Sequence, residues 1–141
     1  MRLLGADAQA RLAAHDHGVL CTVHAERGVD AVPVVYAVDD GFVGVPVDRV
    51  KPKSSLRLQR VRNMEADPRA TLLIEHWDPR DWSGLWWVRA ELRWHGDAAA
   101  GRSAALAAQL AERYPQYRDE PFAQMLLLEI VAVTGWAAGS S

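Results

Sequence analysis

The sequence predicts a mainly β protein with attached helices, built as a six-stranded antiparallel barrel. Three observations carry that reading. Six short runs are rich in β-branched and aromatic residues, the first three are joined by hairpin-type turn signals, and the helical stretches do not alternate with strands as a parallel sheet would require.

Taken in order, Asp7 to Ala14 are good helix formers with Leu12 and several alanines for an apolar face, and the pattern stops at His15-Asp16-His17-Gly18. Gly18 to His24 reads as a strand, Glu26-Arg27-Gly28 as a turn, and Ala31 to Val38 as a second strand. Asp39-Asp40-Gly41 is a hairpin connection into a third strand, Phe42 to Val47. A helix is then expected over Asp48 to Asn63, with Pro52 as its first helical residue and Leu56, Leu58, Val61 and Met64 spaced for partial burial. Arg69 to Trp77 and Leu85 to Trp94 are the fourth and fifth strands. The latter alternates so that Trp86, Val88, Ala90, Leu92 and Trp94 share one face. Ala98 to Tyr114 is an alanine-rich helix closed by Pro115, and Met125 to Trp136 is the closing strand, although its Met-Leu-Leu-Leu-Glu start would also suit a helix.

A length of 141 residues supports one domain, so residues 1–141 are expected to form one functional unit. A hydrophobic fraction of 50% and a net charge of −2 give no reason to expect a nucleic-acid or membrane partner. The single cysteine, Cys21, excludes an internal disulfide and sits in an apolar run that reads as a core strand. Met1 to Arg11 lacks the long apolar stretch of a signal peptide, and the longest apolar run, Met125 to Ala138, is interrupted by Glu129 and too short to span a bilayer, so a cytoplasmic location is expected.

The most informative stretch lies between Asp48 and Glu65, where Arg49, Lys51, Lys53, Arg57, Arg60 and Arg62 occur without an intervening acidic residue. On a helix Lys53, Arg57 and Arg60 fall at i, i+4 and i+7, giving one positive face suited to phosphate or several carboxylates. A helix start near Pro52 would add free N–H groups and a dipole end. The plainer reading is the solvated side of an amphipathic helix. His15 and His17 have a spacing that could hold a metal on a strand. With no third ligand evident nearby in the sequence, a helix-end cluster is preferred and no metal site is expected. Six tryptophans is a high number for this length, and core or interface packing accounts for most of them.

Several segments in this order resemble the pyridoxamine 5'-phosphate oxidase-like FMN-binding split-barrel superfamily, and within it the actinobacterial branch of F-420-dependent (deazaflavin) oxidoreductases. They are GVLCTV at Gly18, AVPVVYAV at Ala31, VPVDRVKPK at Val45, RVRNMEADPRATLLIEHW at Arg60, DWSGLWWVRAE at Asp81 and ERYPQYR at Glu112. The resemblance implies a homodimeric split β-barrel with its cofactor at the dimer interface. By position it implies that Arg60 contacts the cofactor phosphate, with Lys51, Lys53 and Arg57 near the phosphate or the oligoglutamate tail. It implies that Pro33, Val34, Val45, Pro46 and Val47 lie along the ring system, and that Trp77, Trp82 and Trp86 approach the partner's cofactor. Flavin-binding relatives often carry Thr or Ser and a basic residue on these strands, so the apolar Val45-Pro46-Val47 favours coenzyme F-420 over FMN.

The expected function is therefore hydride transfer between F-420 and a small organic substrate, which needs positioning and exclusion of water rather than a nucleophile. Consistent with that, no nucleophile-elbow, zinc-protease, dinucleotide-fold or P-loop motif is present. No catalytic residue is assigned; Tyr36 and His76 are the candidate proton donors. The alternatives are an FMN-dependent oxidase of the same fold and a non-catalytic cofactor or haem carrier.

Overall fold

The computed structural model describes residues 1–48, 58–97, 100–119 and 122–139. The chain opens with helix α1, Gly5–Ala14, whose alanines favour the helix and whose Ala8 and Leu12, one turn apart, are buried. Strands β1 (His17–His24) and β2 (Gly28–Val35) form a hairpin, and Gly28, at φ +95°, closes the turn. After Tyr36 come β3 (Ala37–Asp39) and β4 (Phe42–Asp48), joined by Asp40 and Gly41 with φ values of 49° and 81°, the paired positive values of a tight I′ hairpin. Helix α2 (Gln59–Ala66), strand β5 (Arg69–His76), strand β6 (Trp86–Asp97), helix α3 (Ala100–Arg113) and strand β7 (Phe122–Ala137) complete the order.

All pairings are antiparallel in one seven-stranded sheet, ordered β2-β1-β5-β6-β7-β4-β3. Its two edge strands, β2 and β3, are separated in sequence only by Tyr36, so the sheet has to curl until its edges approach each other. The result is a half-barrel. The strand count corrects the expected six: the run read as one strand, Ala31 to Val38, is two. At Tyr36 the chain leaves its pairing with β1 and takes up pairing with β4. The Tyr36 side chain turns into the core, wholly buried, and its hydroxyl donates to the Leu12 carbonyl at 2.6 Å.

Burial alternates along β1 and β5 with period two, and Val88, Ala90 and Leu92 of β6 point inward as expected. The main core inside the curl joins Leu20, Leu72, Ile74, Val88, Val45 and Leu128 with Leu12 of α1 and Val61 and Met64 of α2. A second core lies under α3, where Leu106, Ala107 and Leu110 pack on Ala37 and Met125. Helix α3 is pinned over the β3 edge by Gln109, which donates to the Val38 carbonyl at 3.0 Å, and by Arg102 beside Asp39 and Asp40.

Two further expectations change. Helix α2 begins at Gln59 and runs to Ala66, because Leu58 is extended (φ −60°, ψ 144°) and stands as its N-cap. The expected helix start at Pro52 and Leu56 fall outside the described residues, while Val61 and Met64 are buried as expected. Cys21 faces outward from β1 and is only half-buried, and that partial burial holds its thiol above the ordinary range. No described helix is long and apolar enough to cross a membrane.

Candidate functional site

The residues singled out by the sequence fall into two groups. The first lies on β4 and α2. Strand β3 ends where Ala37 pairs with Gly44, so among the described residues Val45, Pro46 and Val47 are ladder-paired with β7 alone, through Leu126, Met125 and Gln124, and Pro46 is itself buried. Pro46, which has no N–H to give, is tolerated at such an edge. The Val45 side chain is buried in the core, as is Val34 on β2, so each can meet a ligand only through its backbone. Val47 is half-buried against the same core, and Pro33 is exposed on β2 opposite Val19.

Arg60 stands in the first turn of α2, half-buried, where the helix dipole adds to its charge, and that turn holds no acidic residue. The helix is fixed to the sheet by Asn63, which is 3% exposed. Its Nδ2 donates to Thr22 Oγ1 and to Asp30 Oδ2, each at 2.9 Å, and its Oδ1 accepts from Gln59 at 2.8 Å. The Asn63 hydrogen bond, followed by that of Arg27, holds the Asp30 carboxyl below the usual range. Lys51, Lys53 and Arg57 lie outside the described residues. Because extended Leu58 interrupts the helix, helical spacing does not carry from Lys53 and Arg57 through to Arg60, and the single positive helix face is withdrawn.

The second group gathers where α1 ends, β5 ends and β6 begins. Trp86 pairs across the sheet with His76, and their rings stack with centroids 6.3 Å apart. The Arg11 guanidinium lies 5.0 Å over the Trp86 ring, and the His15 ring meets its edge at 5.5 Å. Burial at this spot lowers the His15 pKa and favours its neutral form, against the opposing pull of Asp16. Trp77 and Trp82 lie beside this group as an exposed pair, 52% and 64% accessible and 6.3 Å apart. Asp81 sets Trp82 in its 3₁₀ turn by accepting from the Ser83 N–H and hydroxyl.

Sequence reasoning missed Arg11 and His15 as neighbours of Trp86. The only signal available was the long gap between them, which periodicity does not bridge. Of the two candidate proton donors, Tyr36 is excluded. Its hydroxyl is buried and committed to Leu12, and desolvation pushes its pKa far above the ordinary tyrosine range. His76 remains exposed beside Trp86.

Val45 pairs with Leu126 and Trp86 with Ala137 on the shared strand β7, and the curl of the sheet brings the two groups nearer than the strand's length, since Val35 pairs with His17, whose ring stacks on His15 at 5.4 Å, and His15 meets Trp86 at 5.5 Å. An outward apolar row crosses β2, β1 and β5, in which Pro33, Val19 and Leu73 are cross-strand neighbours and Val29 is 67% exposed.

No protein-family model and no curated protein matches the chain. Among solved structures it is similar to a FAD-binding protein from Mesorhizobium loti, with TM-score 0.72, 16% identity, and 96% of this chain and 93% of that one covered. It is also similar to a candidate pyridoxamine 5'-phosphate oxidase from Corynebacterium glutamicum (TM-score 0.65, 14% identity, 96% and 94% covered). A third is the haem storage protein HutZ from Vibrio cholerae (TM-score 0.64, 14% identity, 94% and 91% covered). At 14–16% identity the likeness is one of fold: the chain shares the architecture of these three proteins.

Proposed function

We propose that the chain is an oxidoreductase that binds the deazaflavin coenzyme F-420 at a site shared by two copies, and exchanges hydride with a small organic substrate there. The observation that carries this reading is the exposed apolar row through Pro33, Val19 and Leu73, a surface that a second copy would cover. The β4 edge at Val45 to Val47 with Arg60 offers one part of a cradle for a planar, anionic cofactor, and the tryptophans of the second copy offer the other.

The donor chemistry fits the group. Backbone along an apolar edge suits a ring, and a half-buried guanidinium at a helix start suits phosphate, with Lys51, Lys53 and Arg57 close in sequence for the tail. When bound, F-420 supplies a carbon that gives or takes hydride. The protein's part is to hold Arg60 on the anionic portion, to cover the ring face with Trp77, Trp82 or Trp86 from the second copy, and to exclude water. His76, exposed beside Trp86, is the group placed to hand a proton to the substrate. A flavin in the same cradle is the second reading, favoured by the likeness to the FAD-binding protein.

The test is titration of the purified protein with F-420 and with FMN, following tryptophan quenching, with sedimentation at the same concentrations. The expected result is a dimer that prefers F-420 and whose affinity falls about tenfold or more in Arg60→Ala, the loss of one charge-assisted contact. Preference for FMN would move the assignment to a flavin enzyme. A monomer, or binding of neither cofactor, would overturn the proposal.

A further inference from the structure

We propose that His15, Asp16 and His17 form a binding site for a divalent transition-metal ion, with two imidazole nitrogens and one carboxylate oxygen as its protein donors. One donor atom from each of the three lies within 4.8 Å of the other two. A tetrahedral ion with bonds of about 2.0–2.1 Å holds its donors roughly 3.3 Å apart, so modest side-chain rotation closes the set. Asp16 Oδ1 and His17 Nδ1 already stand 2.7 Å apart, and both side chains have room to turn, being 55% and 69% exposed.

The backbone beneath these side chains is fixed. His15 caps α1 in extended conformation (φ −79°, ψ 161°), and His17 opens β1, which sends the two imidazoles to the same side, with ring centroids 5.4 Å apart. The Arg113 guanidinium donates to the carbonyls of Ala13 at 2.7 Å and of His15 at 3.0 Å, and the Tyr114 hydroxyl donates to the Asp16 carbonyl. Trp86 packs against His15 in a T-shaped ring contact. The end of α3 thus clamps the peptide that carries all three donors, which lowers the ordering cost of binding. Two nitrogens and one oxygen, with the remaining coordination positions open to water, suit Zn²⁺, Ni²⁺ or Cu²⁺ and not the oxygen-seeking Mg²⁺ or Ca²⁺. This inference does not rest on the F-420 reading, because none of its three donors is assigned to the cofactor, although His15 lies against Trp86.

The test uses the full chain without an affinity tag, stripped with a chelator and titrated with Zn²⁺ by calorimetry. One ion per chain is expected, with affinity reduced about tenfold or more in His17→Gln and in Asp16→Asn. His95→Gln, a histidine paired with Glu129 elsewhere on the surface, should bind as the parent does. His17 is exposed, so its substitution leaves the fold intact, and far-UV circular dichroism checks this. Electron paramagnetic resonance of the Cu²⁺ complex should show two coupled imidazole nitrogens in the parent and one in His17→Gln. Absence of binding at millimolar Zn²⁺, or parent-like binding and spectra in His17→Gln, would reduce the cluster to a surface ion pair and overturn the proposal.

Discussion

Replacement of Tyr36 by Phe tests how the barrel is closed and whether this residue takes part in chemistry. Four carbonyls at the end of α1 lack partners within the helix. Arg11's accepts from the His15 N–H at 3.0 Å and Ala13's from Arg113, while Leu12's depends on the Tyr36 hydroxyl at 2.6 Å. Phe fills the same volume, so the substitution opens no cavity and removes only the donor. Leu12 and Tyr36 are both essentially without solvent access, and the orphaned carbonyl should cost about 1–3 kcal/mol. In a chain of this length that is a fall in Tm of about 3–10 °C, measurable by calorimetry or thermal circular dichroism. Cofactor affinity and turnover at a temperature below the transition should match the parent. An unchanged Tm would mean that the carbonyl finds another partner. Loss of turnover at retained cofactor binding and stability would reinstate Tyr36 as a proton donor.

Two further predictions follow from local geometry. A Cβ built on Gly18 would stand 2.6 Å from the Leu73 carbonyl oxygen and 2.8 Å from Ile74 Cγ2, so Gly18→Ala should force β1 away from β5 and cost about 1–3 kcal/mol by denaturant unfolding; a neutral result would show that the strands can separate freely. Asp67 accepts from the Arg69 side chain and backbone, which holds its carboxyl down at about 2; because its folded pKa lies below its unfolded value, its stabilising contribution is complete above about pH 4 and lost as pH falls toward 2. The acid limb of the stability curve should therefore be shallower in Asp67→Asn, and a curve parallel to the parent's would show that the pair contributes nothing.

The strands were legible wherever one face is buried and the other is not. Val88, Ala90 and Leu92 alternate with Arg89 and Glu91, and the structure buries the first set and exposes the second. That signal fails at Val35-Tyr36-Ala37, where apolar residues run through the bend because both flanking strands and the tyrosine itself are buried against different partners. The start of α2 was equally hidden, since Leu58 is compatible with a helix and with an extended cap, and only its dihedral angles decide. For the candidate site, motif order singled out Arg60 and the tryptophans, but it could not tell inward from outward valines. Val34 and Val45 serve the core with their side chains, a fact set by strand register rather than by residue type.

The proposed site draws on the β4 edge and on the tryptophan end of β6, and β7 pairs with both strands, so one ladder fixes the positions of the two groups. In the proposed dimer, a twofold axis through the apolar row would set each copy's tryptophans against the other's β4 edge and produce two equivalent sites. Substrate selectivity in such an arrangement would depend on residues from both copies, and a heterodimer carrying Arg60→Ala in one chain and Trp86→Ala in the other should retain one intact site of its two.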